Sequence, residues 1–560
     1  MRRLLLFISF ILAQSAFSQY TSFVWVDYVK SEGRDFFDDL VIDKNDNVYA
    51  VGSFDENIVI GQDTFYVSAS GNDDIMFVKY DSDGNLIWAK QLGGDGLQYA
   101  YNIIISSNDE IYISGKIVGV PYMGDINGIP QYLTSSGTFR SYLSKFDTDG
   151  NLIWTKLLDC PSNATNWLWS IALDQNENIA AVGTFTGSID FGNGMQLVSS
   201  HQQDVFIAKY DNYGNCFWAM SEGGYNAEFV YDIDFDSNNN FAIVGAFDDT
   251  MNLSGNILIP NGHGDAYIAY YNASGGLQWY HQAGGSRTGV VTPDAAEHVI
   301  FDSNDDLWVS GFYEDTIIFE LDTLYPITPE SGGTDIFLVK YDNSGNLLHS
   351  KRMGYPGNAY GDKLEDLKID NENNLYVSGV VANNFEIDDS TYSANGYSDV
   401  MISKFDSNGV LKWLKKGGGS AYGEVATAIA INDNKEIYFC GTISQGTTLV
   451  FDTVVFTQSH LEYWGSGIVG KLSWLFSNEP SSVSELNTTS IFLYPNPTSG
   501  ILKIKNSSFN TYSIIGVHGV EMRKGIISNG MIDLSDFEKG VYIIELTNND
   551  GSFRSSVIIQ

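Results

Sequence analysis

Strand-like apolar segments pair off around short polar clusters along most of the chain, and the pairs recur. One apolar position and a glycine twelve residues later return as Leu40…Gly52, Ile103…Gly115, Ile171…Gly183, Ile233…Gly245, Val299…Gly311, Leu367…Gly379 and Ile429…Gly441. Successive glycines lie 63, 68, 62, 66, 68 and 62 residues apart, a period steady enough to be structural. Five polar residues separate the two segments, as in Asp43 to Asn47, Asp236 to Asn240 and Asp302 to Asp306. Asn and Asp tolerate left-handed backbone and make Asx turns, so each unit predicts a β-hairpin.

A second hairpin follows each first one. Ile75 to Tyr80 leads through Asp81 to Gly84 into Leu86 to Trp88, and the pattern returns from Tyr142 to Trp154, Val205 to Trp218, Ala266 to Trp279, Ile336 to His349 and Val400 to Trp413. Four strands per unit, repeated radially, predict an all-β fold: a seven-bladed β-propeller. A linear solenoid is the competing reading, but it needs capping units. The seventh unit reaches its third strand at Gly467 to Lys471 and then lacks the turn. At the other end of the chain, Phe23 to Trp25 matches Leu86 to Trp88, and Trp25 to Asp39 is the same fourteen residues as Trp88 to Asn102. The N-terminal strand is therefore expected to close the last four-stranded blade.

These units resemble the SBBP (seven-bladed β-propeller) repeat family, with its "VxGxF … DxFvxKyDxxGnxxW" pattern, over roughly Tyr20 to Trp474. His349 in place of Trp and the degenerate seventh unit depart from it. The resemblance implies the fold and no activity.

Leu493-Tyr494-Pro495-Asn496-Pro497-Thr498-Ser499-Gly500 opens a further run of short strands that continues through Tyr512 to Gly516, Ile532 to Leu534 and Gly540 to Glu545 and ends at Gln560. Alternation with Gly and Asn punctuation predicts a small Ig-like β-sandwich. The stretch resembles the C-terminal sorting domain of the type IX secretion system of Bacteroidota. That resemblance implies handling by the type IX machinery, removal near the linker, and release or attachment to surface lipopolysaccharide. Met1-Arg2-Arg3, an apolar run from Leu4 to Ala13, and Ala16 and Ser18 ahead of Gln19 read as a secretory signal peptide. The expected domains are thus 1–18 signal peptide, 19–475 propeller, 476–489 linker and 490–560 sorting domain.

Composition narrows the partners. The 560 residues are 43% hydrophobic and 14% aromatic, which excludes a disordered chain. Mean hydropathy of −0.11 argues against a polytopic membrane protein, and no later segment reaches transmembrane length. Thirty Lys and Arg stand against 69 Asp and Glu, a net charge of −39, so nucleic acid is excluded as a partner. Between Asn487 and Gln560 acids and bases cancel, leaving the negative charge upstream. Three cysteines make no disulfide framework and have no metal-ligand spacing.

Long second–third and fourth–first loops share one face of the expected ring, where binding normally resides. The fourth–first loops hold Tyr99, Tyr101, Trp167, Trp169, Tyr225, Tyr231, Tyr355, Tyr360 and Tyr422, and rim aromatics suit sugar stacking. The plainer reading makes Tyr101, Trp169 and Tyr231 plugs between blades. Next to them lie Asp39, Asn102, Ser170, Asp232, His298, Asp366 and Ala428, with Glu297 and Glu365. Asp39, Asp232 and Asp366 are candidate oxygen ligands for a hard cation such as Ca2+; a solvated channel mouth is the plainer account. Arg34, Arg140, Arg287 and Arg352 are expected in loops of the same face. Arginines gripping a carboxylate suit a sialidase, but the Asp-box spacing of that family is absent. No nucleophile, zinc or phosphate-loop motif is present. The sequence points to a monomeric exported binding or adhesion module for glycan or protein. A glycan hydrolase or lyase and a structural envelope component are the alternatives.

Overall fold

The structure, a computed structural model, describes residues 17–480 and 492–559 except 32, 68–71, 263, 286–293, 315, 320–321, 328–333, 355–362, 383, 389, 420–422, 444–446, 452–453, 459–464, 495–500, 506–510, 517–520, 528–530, 538 and 549–550. The expected signal peptide, apart from its last two residues, and most of the expected linker lie outside the described residues. The chain divides into two compact units, Phe23–Ser473 and the remainder.

The larger unit is all β. Among the described residues, four strands in sequence form an antiparallel meander six times over. The first runs through Asp35–Ile42, Val48–Phe54, Asp74–Tyr80 and Leu86–Asp95, and the next through Gln98–Ile105, Ile111–Ile126, Ser135–Phe146 and Leu152–Leu157. The third to sixth meanders open on Asn166–Leu173, Glu228–Phe235, Ala295–Phe301 and Leu364–Ile369. A seventh sheet takes Val425–Ile431, Ile437–Ile443 and Ser466–Pro480, and its fourth strand is the N-terminal Phe17–Tyr28.

Each first strand lies against the first strand of the next sheet, and that of the seventh lies against that of the first. The apolar residues follow suit. They form seven clusters, each shared by two consecutive sheets, and the cluster of Leu40, Val48 and Met76 with Ala428, Tyr438 and Val469 spans the join between last and first. The arrangement is propeller-like.

Turn chemistry explains the polar clusters. Asp43 Oδ1 accepts the Asn45 and Asn47 amides, and Asp46 takes the left-handed conformation at φ 62°. Asp81 does the same for Asp83 and Asn85, with Gly84 at φ 86°. The fourth-strand Trp then reaches across to the following sheet: Trp154 Nε1 donates to Asn212 O at 3.1 Å and Trp279 Nε1 to Asn343 O at 3.2 Å. Trp25 donates to Ser82 O at 3.3 Å in the same manner, so the N-terminal strand serves the seventh sheet as the other fourth strands serve theirs. Third-strand lysines add to these latches, Lys145 to Asn212 O at 3.2 Å and Lys471 to Ser82 O at 3.4 Å. Where His349 replaces Trp, the buried Trp308 of the second strand packs beneath Gly409 instead, and His349 helps line a cleft of about 450 Å³.

Two arginines differ from the loop placement expected of them. Arg140 lies in the strand Ser135–Phe146, 1% exposed, and donates to the carbonyls of Phe139, Cys160, Pro161 and Ala164. A guanidinium with five donors is kept buried because four carbonyls surround it. Arg352 lies in the strand Leu347–Gly354.

The tail forms two sheets of its own. Phe492–Tyr494, Ile501–Lys505 and Met531–Asp533 make one, and Glu521–Ile526, Thr511–Gly516, Gly540–Asn548 and Gly551–Ile559 the other. Leu502 and Ile532 of the first pack with Ile514, Ile544 and Leu546 of the second.

Candidate binding site at the channel mouth

Every first strand carries one extra residue opposite its neighbour. Asp38, Tyr101, Trp169, Tyr231, Glu297, Glu365 and Thr427 are these bulged residues. The bulge explains the recurring glycine. A Cβ on Gly115 would lie 1.9 Å from Tyr99 O, and one on Gly245 1.9 Å from Phe229 O, so the second strand must present a bare backbone there. A bulge also re-aims side chains and leaves an amide without a ladder partner.

In six of the seven repeats the next residue bonds across to the following repeat. Asp39 Oδ2 accepts the Ile103 amide, Asn102 donates to Trp169 O, and Ser170 donates to Asp232 Oδ1. Asp232 Oδ2 accepts the Val299 amide, His298 Nε2 bonds Leu364 O, and Asp366 Oδ2 accepts the Ile429 amide. The seventh repeat has Ala428 at this place, and the bulged Thr427 acts in its stead, its Oγ1 donating to Phe37 O at 2.8 Å. One bond thus crosses every junction of the ring. Asp39, Asp232 and Asp366, candidate cation ligands by sequence, direct both carboxylate oxygens to these and neighbouring amides. Among the described residues no group of three or more His, Cys, Asp or Glu is placed to hold a metal ion.

Inside this ring the charges are crowded. Burial raises Asp39 to about 7 against the attraction of Lys368, and Asp232 to about 6 against its hydrogen bonds. Asp234 is likewise pushed up to about 7. Lys368 pairs with Asp366 at 2.6 Å and also acts on Asp39 and Asp232. Burial lowers His298 to about 3, keeping it neutral.

The bulged residues and those two positions earlier divide the mouth into unlike halves. Across the second to fourth repeats it is aromatic. Tyr99 stacks on Tyr101 at 5.9 Å and 9°, Trp167 packs on Trp169 at 5.2 Å, Trp169 meets Tyr231 at 6.0 Å, and Phe229 stacks on Tyr231 at 6.2 Å. Phe139 joins Tyr99 to Trp167, at 6.5 Å from each. Lys116 Nζ sits among these rings, 5.0 Å from Tyr99, 5.2 Å from Tyr101, 4.7 Å from Phe139 and 4.1 Å from Trp167. Across the fifth, sixth and first repeats the mouth is acidic. Lys363 lies between Glu297 at 3.6 Å and Glu365 at 3.2 Å. Asp38, next along, is raised by burial and by Asp39 and Glu365. Burial lifts Glu297 to about 7.

Of the residues singled out by sequence, Tyr99, Tyr101, Trp167, Trp169 and Tyr231 come together. Arg34 flanks the arc, pairing with Asp55 at 3.4 Å and with Asp73 at 3.7 Å. Tyr225 stands apart, exposed, with its ring 4.8 Å from His201. Arg352 donates to Tyr325 O, as Gln91 does to Tyr66 O and Gln282 to Ile259 O, a repeated clamp on the outer loops. Tyr355, Tyr360, Tyr422 and Arg287 lie outside the described residues. The sequence reading passed over Phe229, Phe139 and Lys116. Phe229 occupies the same place in its repeat as Tyr99 and Trp167 and was legible; Lys116 and Phe139 occur once each, without a repeat to mark them.

Residues 492–560 match the secretion system C-terminal sorting domain family. The tail is a type IX sorting domain. It marks the chain for export by type IX secretion, to the cell surface or beyond. The chain is 21% identical to an uncharacterized WD repeat-containing protein, L264, of Acanthamoeba polyphaga mimivirus, over 68% of this chain and 33% of that protein. It is 24% identical to the regulatory protein FlaEY of Caulobacter vibrioides, over 50% of this chain and 30% of that protein. The chain thus spans about a third of the length of these curated relatives. A Synechocystis apocarotenoid oxygenase structure aligns over 83% of this chain and 97% of its own at 12% identity and a TM-score of 0.36. Among the described residues no helix is long and apolar enough to cross a membrane.

Proposed function

We propose that this is an exported glycan-binding module: a signal peptide at 1–18, an SBBP-type seven-bladed propeller at 19–475, a linker at 476–489, and an Ig-like sorting sandwich at 490–560 read by the type IX machinery. The seven sheets are its blades and the aromatic half of the channel mouth its binding surface. The observation that carries this is the convergence of Tyr99, Tyr101, Trp167, Trp169, Phe229 and Tyr231, from three consecutive repeats, into one half-buried arc. A core plug would be sealed, whereas these rings remain partly open to solvent. Aromatic faces beside polar groups suit the apolar face and hydroxyl edge of a sugar, and the acidic half supplies acceptors for those hydroxyls. Function resides in such a site and not in the fold that bears it.

The test is a glycan array with the secreted protein, followed by titration of the strongest hit against Trp167→Ala. We expect retention of an unchanged glycan and a loss of about ten-fold or more in affinity, the worth of about 1.4 kcal/mol. A blank array, or a Trp167→Ala protein that binds as well as its parent, overturns the reading. Shortened products in place of retained ligand would move it to the hydrolase or lyase class.

A further inference from the structure

The mouth joins two kinds of surface that neutral sugar stacking alone does not require. Its aromatic half already shelters a cation: Lys116 Nζ lies within 5.2 Å of four ring centroids, and among the described residues it forms no ion pair. The faces of Tyr and Trp attract ammonium through their quadrupole, worth about 0.5–2 kcal/mol according to exposure. Lys116 shows that these rings are arranged to do so. Burial among the rings disfavours its charge, and Asp38, at longer range, favours it.

The opposite half is short of positive charge. Glu297 and Glu365 share Lys363 at the rim, with Asp38 raised by Glu365 beside them, while Asp39, Asp232, Asp234 and Asp366 share Lys368 within. With Lys116, three lysines face seven carboxyl groups. Asp38 Oδ2 is moreover buried with no hydrogen-bond partner, although it lies between the two halves and within reach of the fields of both Lys116 and Glu365. A buried carboxylate oxygen left without a donor costs about 1–3 kcal/mol, and an incoming N–H donor would recover it. A carboxylate-bearing ligand would instead add to the repulsion among these acids.

We propose that the ligand carries an ammonium group, and that within the glycan reading above it is an amino sugar whose ring lies on the Trp169–Tyr231 part of the arc and whose amine faces Asp38, Glu297 and Glu365. This rests on the glycan reading and specifies its substrate class. Lys116, 4.1 Å from Trp167, then sets the edge of the platform, with Trp167 supporting Trp169 and leaving it and Tyr231 for the sugar.

The experiment titrates the full-length secreted protein at about pH 7, where an amine remains largely charged. The probes are a glucosamine oligomer, the N-acetylglucosamine oligomer of the same length and a galacturonate oligomer. We expect the free amine to bind at least about ten-fold tighter than the acetylated sugar, and the uronate to bind weakest. The double substitution Glu297→Gln with Glu365→Gln, and separately Asp38→Asn, should erase that preference by weakening the free amine far more than the acetylated sugar. Trp167→Ala should weaken both sugars together. Equal binding of the two, a preference for the uronate, or a preference that survives the acid substitutions overturns the ammonium assignment while leaving glycan binding intact. Failure of every probe, with Trp167→Ala indistinguishable from its parent, removes the glycan reading and the assignment with it.

Discussion

Two sets of carboxylates occupy opposite situations in the same repeats. Those in the short turns are surrounded by donors. Burial alone would raise Asp174, yet bonds from Lys209 and Asn178 outweigh it and hold the group below its usual range; Asp370 is held down likewise by Asn374, Glu372 and Lys404. Those lining the channel also accept amides or pair with lysine, but desolvation by burial outweighs these, and Asp39, Asp234 and Glu297 are lifted to about 7. One residue type, repeated at fixed places in each unit, therefore serves two ends. In the turns the ionised form is built into the fold. At the mouth burial outweighs the compensation, and acids perturbed in this way cluster at functional sites in general.

The largest effects are expected on the turn side, where latches cross from sheet to sheet. Trp25→Ala removes the indole that packs over Gly84 and donates to Ser82 O, a link between the seventh sheet and the first. Chemical denaturation should show a loss of about 3 kcal/mol, since the ring is only half buried. Val24→Ala, one residue away at 52% exposure, should cost little. Similar losses for both would mean that the N-terminal strand contributes no latch. Asp370→Ala comes next. Its carboxylate accepts from the Glu372 and Asn374 amides, the Tyr376 hydroxyl and Lys404, and about 2–3 kcal/mol should go with it. A loss below about 1 kcal/mol would show that the turn side owes its order to backbone geometry alone.

What the sequence revealed follows from where these interactions lie along the chain. The hairpins, their period and the pairing of Phe23–Trp25 with the last sheet were legible because each repeats at constant offset. The reason for the glycine was not: its partner is the carbonyl of Tyr99 or Phe229, sixteen residues earlier in each case, displaced by a bulge that no residue type announces. For Asp39, Asp232 and Asp366 the sequence offers an acid without its donors, so a cation and a solvated channel mouth are equally compatible with it; the donors are amides of the next repeat, which local sequence does not reveal. The strand placement of Arg140 is not legible in sequence because three carbonyls from another segment cannot be read from its neighbours. The aromatic arc was half legible. Its repeated members stood out, and the solitary Lys116 did not.

The contrast between the two sets also predicts a pH profile with two limbs. A raised carboxyl binds more protons folded than unfolded, so it opposes folding above its folded pKa and is relieved as pH falls. From about pH 8 down to about pH 5 the channel groups should therefore add stability, at about 1.4 kcal/mol per unit of net shift relieved. His298, neutral when folded, works against this once pH drops below its ordinary range. A lowered carboxyl behaves oppositely: the turn groups Asp174 and Asp370 contribute above their unfolded pKa, near 3.8, and lose that contribution as pH falls through their lower folded values. Stability should peak on the acid side of neutrality and collapse below about pH 4. Glu297→Gln should flatten the upper limb and leave the lower one untouched. An upper limb that rises with pH instead would mean that the channel acids are solvated, and the contrast would vanish.

The smallest effect probes the join itself. Six repeats bridge to the next through the residue after the bulge, and the seventh, with Ala428 there, uses the bulged Thr427. A neutral bond to Phe37 O is worth about 1 kcal/mol, so Thr427→Val, which keeps the shape, should lose about that much in denaturant midpoint analysis. Ser170→Ala removes a bond to the Asp232 carboxylate at 2.7 Å and should lose somewhat more, since its acceptor is charged, although the Ile233 amide still donates to that oxygen and limits the loss. If Thr427→Val proves the costlier of the two, the junction between the last and first sheets depends on that hydroxyl beyond its own bond. The ring would then be weakest at that junction, and its opening would begin between Thr427 and Phe37.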